Sequence, residues 1–457
     1  MTDSSPLKIA YLTAGAAGMF CGSCMHDNTL ARALIERGHD VQLIPLYTPI
    51  RTDEQNVSRD QVFFGGINIY LKQKYRFLRW LPTWMTRWLD SPAIIRFATG
   101  LGMETKASQL GALTVAMLRG SENFQQQETQ RLADWLQAEA RPDVVVFSNM
   151  LTAGCVPDLK RFLPVPVVVT LQGDDIFLAD LVEPYRTQAF TEIVRLDASM
   201  DGYLVQSRYY ADHMAEYLSL PRDKFRIVPL GLNTLDLSAG APHPPIAVAL
   251  PSRRPTVGYL ARVAPEKGLH ILAEAFIALR QMPGMHEAQL RIAGWLGPRH
   301  RAYMQTAFRR LDDAGLRGEY VYAGEVDRQG KRDFLKSIDV LAVPTVYREP
   351  KGLFVLEALA AGVPVVQPAH GAFPETIEDL GGGLLHRPED SQHLAERLHE
   401  LLSDRPRLVA LARAGQQAVL ERRSASAMAE RTTETLREFI RLSTADRSNP
   451  SPADTRV

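Results

Sequence analysis

Apolar residues in this chain fall in short runs separated by longer stretches with helical spacing. That alternation predicts parallel strands joined by crossover helices, hence an α/β fold with a doubly wound sheet. In the first half the runs are Lys8 to Thr13, Val41 to Tyr47, Asp143 to Phe147, Val165 to Leu171, Gly202 to Gln206 and Phe225 to Pro229. A stretch rich in proline and small residues, Ser238 to Pro255, then breaks the pattern and reads as a linker. The alternation restarts with Thr256 to Leu260, Gln289 to Ala293, Tyr320 to Tyr322, Val340 to Val343 and Val363 to Val366. The expected organisation is an N-terminal domain over 1–240, a linker over 241–255 and a C-terminal domain over 256–424. A helix over 425–442 and a polar, disordered tail over 443–457 complete it.

The clearest chemistry lies in Arg348 to Val366, REPKGLFVLEALAAGVPVV, where Glu349 and Glu357 stand with seven residues between them. Glu349 falls in a loop after an apolar run. Gly352 lets the backbone approach a ligand where Leu353 to Ala361 begin to read as helix, and amides at a helix start point at an anion such as phosphate. Either glutamate alone would read as a solvated acid. Glu357, however, is set in a segment otherwise apolar, and an ionised carboxylate there needs a partner. Two neighbouring hydroxyls, such as those of a ribose, would supply one.

A second half-site is Gly258 to Gly268, GYLARVAPEKG. Arg262 and Lys267 lie on the connection from a strand to a helix, so both cations can converge on one diphosphate at the carboxyl edge of a parallel sheet. Two surface cations near a turn is the plainer reading of either residue alone.

With these motifs in order, the chain resembles the retaining glycosyltransferases of family 4 over roughly residues 7–440. The resemblance rests on R-x4-K-G at Arg262 to Gly268, E-x7-E at Glu349 to Glu357, and the trailing EALAAGVPVV. It implies the GT-B fold, two Rossmann-like domains with parallel sheets facing across a cleft, with the helix 425–442 crossing back to the first. It further implies that Arg262 and Lys267 bind the donor's diphosphate, that Glu357 binds the ribose and that Glu349 contacts the transferred sugar. Gly352 and Leu353 match positions whose backbone amides meet the donor, and Val326 matches a region lining the base. The implied reaction moves a hexosyl group from a nucleoside-diphosphate sugar to a hydroxyl acceptor, a sugar, glycan or lipid-linked group, with retention and with no cofactor. The departing phosphate helps to deprotonate the acceptor, and Glu349 is not taken to be a covalent nucleophile.

Composition agrees with a large globular enzyme. The 457 residues are 46% hydrophobic and 23% charged, and 52 basic residues balance 52 acidic ones, which argues against general nucleic-acid binding. No apolar run reaches the ~18 residues of a spanning helix and no secretory leader is evident, so the expected compartment is the cytoplasm.

The N-terminal loop TAGAAGMFCGSCMHDN carries Gly15, Gly18 and Gly22 between a strand and a helix. A dinucleotide fingerprint is one reading, but the second strand lacks the acid that would hold an adenosine ribose. By resemblance, a glycine-bearing loop here lies close to the diphosphate and the acceptor, which makes Gly18 a donor-site residue. Asp27 and Asn28 are expected to cap the following helix, with contact to acceptor hydroxyls as the alternative. Cys21 and Cys24 form C-x-x-C, yet a zinc site needs about four ligands and only Cys155 and scattered histidines, His26 the nearest, remain; packed thiols are the expectation, with a Cys/Cys/His site or a regulatory disulfide as alternatives, and no metal site is assigned.

One departure from the family stands in VVVTLQGDD, where Gln172 replaces a histidine that contacts the donor sugar in many members. An amide donates and accepts hydrogen bonds but does not titrate, so sugar recognition survives and proton transfer does not. Asp174 and Asp175 read equally as ligands for sugar hydroxyls or as surface-loop acids. The glutamate motif carries Lys351 where the family often has an aromatic or small residue. No D-x-D occurs in the chain, and Arg262, Lys267 and helix-start amides are expected to do the work of a divalent ion.

Two other classes remain open at this stage, a nucleotide-sugar epimerase and a non-catalytic nucleotide-sugar binding protein. Finally, Leu71 to Gly100 sets Trp80, Trp84 and Trp88 at helical spacing among Lys72, Lys74, Arg76, Arg79 and Arg87. These tryptophans read as core or acceptor-cleft residues. The alternative is peripheral membrane contact through 72–96, interrupted by Pro82.

Overall fold

The structure, a computed structural model, describes residues 5–15, 22–50, 52, 54–59, 63, 111–120, 123–234 and 254–448. By contacts it divides into two units, Met1–Pro229 with Met428–Val457, and Leu230–Ala427.

The first unit holds a six-stranded sheet of β1 (Lys8–Thr13), β2 (Asp40–Pro45), β3 (Val144–Phe147), β4 (Val167–Thr170), β5 (Gly202–Val205) and β6 (Phe225–Ile227). Its order is β2-β1-β3-β4-β5-β6 and every pairing is parallel. The strands β3, β4 and β5 are buried throughout, which is why they appear as unbroken apolar runs rather than as alternation. The last helix, Ala425–Ser448, contributes Phe439 to this core and pairs Glu438 with Arg226 at 2.7 Å. Its buried Phe439 ring lies where Gly202 has no side chain, so β5 begins at a residue only glycine can fill.

The second unit repeats the design with β7 (Thr256–Leu260), β8 (Gln289–Ala293), β9 (Tyr320–Tyr322), β10 (Val340–Ala342), β11 (Val365–Pro368) and β12 (Gly383–His386). The order is β12-β11-β10-β7-β8-β9, again all parallel. Apolar runs predict eleven of these strands; β12 escaped because only Leu384 and Leu385 are apolar between glycines and His386.

Two boundaries differ from the sequence reading. The first unit ends at Pro229 rather than at 240, because Leu230 and Leu232 pack in the second core and Leu232 exchanges backbone hydrogen bonds with Arg423 and Ala425. The final helix continues past Leu442 to Ser448, since no breaker precedes Asn449-Pro450 in the sequence. The linker's residues 241–253 lie outside the described residues.

Candidate active site

In the second sheet the strand order reverses between β7 and β10, so the loops leaving their carboxyl ends diverge and open a crevice. Both sequence half-sites sit there. The loop after β7 carries Arg262 and the short turn Pro265–Lys267; the loop after β10 carries Tyr347, Glu349 and Gly352. The Val346 amide donates to the Glu266 carbonyl at 3.0 Å, and Gly268 (φ 72°) packs so tightly on the Pro344 carbonyl that a Cβ would collide with it.

Across this junction Lys267 Nζ donates to Glu349 Oε2 at 2.5 Å, with the two side chains only 14% and 10% exposed. The ammonium also lies 5.3 Å from the Tyr347 ring centroid and 5.8 Å from that of Phe354, which adds cation–π attraction. The Gly352 amide reaches the other carboxylate oxygen of Glu349 at 3.4 Å. Burial pushes the Glu349 carboxyl up, but the Lys267 charge, its hydrogen bond and the Gly352 amide outweigh it and hold the group below its ordinary range. Glu349 is therefore an ionised carboxylate in a largely dry place.

Glu357 lies on the helix Leu353–Ala360, where every residue after Leu353 is buried. The partner its burial demands is Lys331, on the helix Arg328–Lys336, whose Nζ donates to Glu357 Oε1 at 2.7 Å. Arg262 stands apart from these pairs, 48% exposed and bonded to Glu266 at 3.2 Å. Val326 is half-buried against the second core, just before the Lys331 helix.

In the first unit the polar residues gather at the carboxyl ends of β1, β3 and β4. Asp27, fully buried, accepts from Tyr11 Oη at 3.0 Å, Thr13 Oγ1 at 2.8 Å and Gln172 Nε2 at 2.9 Å, with His26 Nδ1 at 3.3 Å. Burial, followed by the nearby Asp27 charge, pushes the Tyr11 phenol well up, so it stays a donor. Asp174 accepts from the Met150 and Gln172 amides at 2.8 and 2.9 Å, and Asp175 accepts from Tyr210 Oη at 2.7 Å.

Two family models match the chain, that for glycosyl transferases group 1 over residues 246–418 and that for the glycosyl transferase 4-like domain over residues 28–231. The chain belongs to the family 4 type of GT-B glycosyltransferases. An uncharacterized glycosyltransferase of Methanocaldococcus jannaschii is 22% identical over 389 residues, 84% of this chain and 85% of that one. The GDP-mannose-dependent alpha-(1-6)-phosphatidylinositol monomannoside mannosyltransferase of Mycobacterium tuberculosis is 34% identical over 170 residues, 36% of this chain and 42% of that enzyme. Among solved structures, Anabaena HepE in complex with UDP aligns at TM-score 0.63 and 16% identity, covering 94% of this chain and all of that one. Sucrose-phosphate synthase from Thermosynechococcus elongatus aligns at TM-score 0.65 and 17% identity, over 95% of this chain and 100% of the other. At such identities the likeness is one of fold.

Within this glycosyltransferase, several expected residues are placed differently from the sequence reading. Asp27 does not cap its helix, Gly22–Glu36: it sits past the first turn and is turned inward to Tyr11 and Thr13. Asn28 likewise anchors the chain around Gln55 and Val57. Asp174 and Asp175 bind the loop's own scaffold. Cys24 and Cys155 are buried, and among the described residues no group of three or more His, Cys, Asp or Glu could hold a metal ion. Gly18, Cys21 and the segment 72–96, including Trp80, Trp84 and Trp88, lie outside the described residues. No helix among the described residues is long and apolar enough to cross a membrane. Sequence reasoning missed Lys331, one cation among several in DRQGKRDFLK, and its only signal was the unmet need of Glu357 for a partner.

Proposed function

We propose that this glycosyltransferase moves a hexosyl group from a nucleoside-diphosphate sugar to a hydroxyl acceptor, with retention of configuration and without a divalent metal. The carrying observation is the Lys267–Glu349 pair at 2.5 Å, at the sheet's switch point and one short turn before the helix that bears Glu357. In this reading Lys267, which keeps N–H donors beyond the one given to Glu349, binds the donor diphosphate together with Arg262. The Gly352 and Leu353 amides meet the same donor, Val326 lines the base and Glu357 accepts from the ribose hydroxyls. Glu349 contacts the transferred sugar. Gly18 and Gln172 keep the donor-binding role that the family resemblance implies for them.

During transfer the bond from the anomeric carbon to the diphosphate oxygen breaks, a bond from the acceptor oxygen forms on the same face, and the acceptor proton passes to the departing phosphate. Charge growing on that phosphate is met by the Lys267 ammonium and the Arg262 guanidinium, which is the work a metal would otherwise do. Glu349, already ionised and bonded to Lys267, serves as a hydrogen-bond and charge partner. The names of relatives that use GDP-mannose, and the UDP bound by HepE, support a nucleotide-sugar donor. The reaction is assigned to the cytoplasm, with 72–96 as the contact surface if the acceptor is lipid-linked.

The test is product analysis with UDP-, GDP- and ADP-sugars plus candidate acceptors, in the presence of chelator. A glycoside with the donor's anomeric configuration is expected. An epimerised sugar formed from donor alone, an inverted product, or activity lost to chelator and restored by one metal would each overturn the reading.

A further inference from the structure

The helix Leu269–Arg280 begins directly behind Lys267, and its N-cap is Gly268, which has no side chain to satisfy the first amides. The cap comes instead from a different helix, Arg301–Asp313. Tyr303 Oη accepts from the His270 amide at 3.1 Å and lies 2.8 Å from His270 Nδ1. The two rings meet edge to face, with centroids 5.7 Å apart.

The oxygen takes the amide hydrogen, and the hydroxyl hydrogen points at Nδ1, the arrangement that pairs every hydrogen in this contact. It requires an uncharged imidazole with its hydrogen on Nε2. Burial favours that state: it lowers the His270 pKa and pushes the Tyr303 hydroxyl up to about 12, the latter against the pull of the His270 and Leu269 amides. A neutral oxygen thus sits at a helix start that would otherwise draw an anion.

The chain leading to this contact is short and stiff. At its near end Tyr259 Oη donates to the Arg262 carbonyl at 3.0 Å. Further on, the Lys267 amide donates to the Ala264 carbonyl at 3.0 Å, and the Gly268 carbonyl accepts from the Ile271 and Leu272 amides at 3.0 and 3.1 Å. Gly268 itself is seated against the Pro344 carbonyl, so a shift of the helix start is passed to Lys267 and not absorbed at the glycine.

We infer that Tyr303 is a positioning residue for Lys267: its hydroxyl fixes the helix start three residues on, and so holds the Lys267 ammonium where the departing diphosphate is met. By filling that start it also leaves the diphosphate to the Arg262 and Lys267 side chains and to the amides of Gly352 and Leu353. The inference rests on the reading that Lys267 stabilises the leaving group.

The experiment is a double-mutant cycle on kcat, with Tyr303→Phe, Lys267→Ala and the double variant of the full chain. The donor is whichever of the UDP-, GDP- and ADP-sugars gives product. Turnover is expressed per nucleotide-binding site, counted by calorimetric titration, so that unfolded protein drops out of the comparison. Tyr303→Phe keeps the ring and loses only the hydroxyl. In the unaltered background it should lower kcat about tenfold, the cost of one hydrogen bond realised at the transition state. In the Lys267→Ala background it should change kcat by less than about twofold, because the group it positions is gone. A role in stability alone would lower the melting temperature and leave both kcat ratios at one.

If Tyr303→Phe leaves kcat unchanged, or lowers it by the same factor in both backgrounds, the inference is overturned while the donor-site reading stands. If Lys267→Ala itself keeps full turnover, the reading of Lys267 fails and takes the inference with it. Should Tyr303→Phe not fold, the 15N shifts of the His270 ring in the unaltered protein decide. A bare Nδ1 and a protonated Nε2 are expected at neutral pH, and a protonated Nδ1 would sink the inference.

Discussion

Lys331 Nζ and Glu357 Oε1 stand 2.7 Å apart, joining two different helices, with the side chains 15% and 11% exposed. The pair gives the proposed ribose-binding carboxylate a hydrogen-bond donor of opposite charge in a helix that is otherwise buried and apolar. Breaking a buried pair by removing one partner costs up to ~3–5 kcal/mol, and residual exposure lowers the figure here. Lys331→Met should weaken UDP or GDP binding. Calorimetric titration with UDP and GDP checks it, and unchanged affinity would remove Lys331 from the site.

Lys267 and Glu357 should separate kinetically. Lys267→Ala removes charge stabilisation from the leaving group and should lower turnover by about 10²-fold or more. Glu357→Ala removes an acceptor for ribose hydroxyls and should chiefly weaken donor binding. Steady-state kinetics with varied donor, together with direct nucleotide titration, distinguishes the two. Wild-type values in both variants would contradict the placement of the donor site.

These contrasts show where the sequence was legible. The strands Thr256–Leu260, Gln289–Ala293 and Tyr320–Tyr322 appear as predicted to the residue: the first is buried throughout, while Gln289–Ala293 exposes Arg291 and the edge strand Tyr320–Tyr322 exposes Val321. Glu357 stood out in the sequence because charge is conspicuous in apolar surroundings, whereas Glu349 and Lys267 were picked out by the spacings E-x7-E and R-x4-K-G. The pairing was not legible. Lys267 meets Glu349 across 82 residues, and Gln172 meets Asp27 across 145, separations that no local pattern encodes. Asp27 reads locally as a helix cap, and only the packing of its helix on β1 reveals that its carboxylate collects hydrogen bonds from Tyr11, Thr13 and Gln172.

Gly371 offers a test of backbone fit beneath the same site. It holds φ at 60°, and a Cβ there would lie 2.6 Å from the Glu349 carbonyl oxygen and 2.8 Å from the Glu349 nitrogen. Gly371→Ala should therefore strain the left-handed turn by roughly 1–2 kcal/mol and push Glu349 away from Lys267. The expected result is a protein that folds with lowered melting temperature and loses turnover out of proportion to the stability change. Turnover equal to that of the unaltered chain would mean that the Glu349 backbone can move without harm.

Asp174 links the first unit's stability to pH. Burial pushes its carboxyl up, the Gln172 and Met150 amides pull it partly back, and the result is a pKa of about 6 against an ordinary 3.8. A folded-state pKa above the unfolded value means that the folded chain binds this proton more tightly. The associated stabilisation is full below pH 3.8 and is lost as pH climbs through 6. From 3.8 to about 6 the change amounts to roughly 3 kcal/mol. Asp174→Asn cannot titrate and retains one acceptor for the two amides. The stability of the unaltered protein relative to this variant should therefore decline between pH 4 and pH 7. Native-state hydrogen exchange of the β3 and β4 amides measures that difference in the first unit alone. A difference that stays constant over the range would mean that Asp174 does not titrate there.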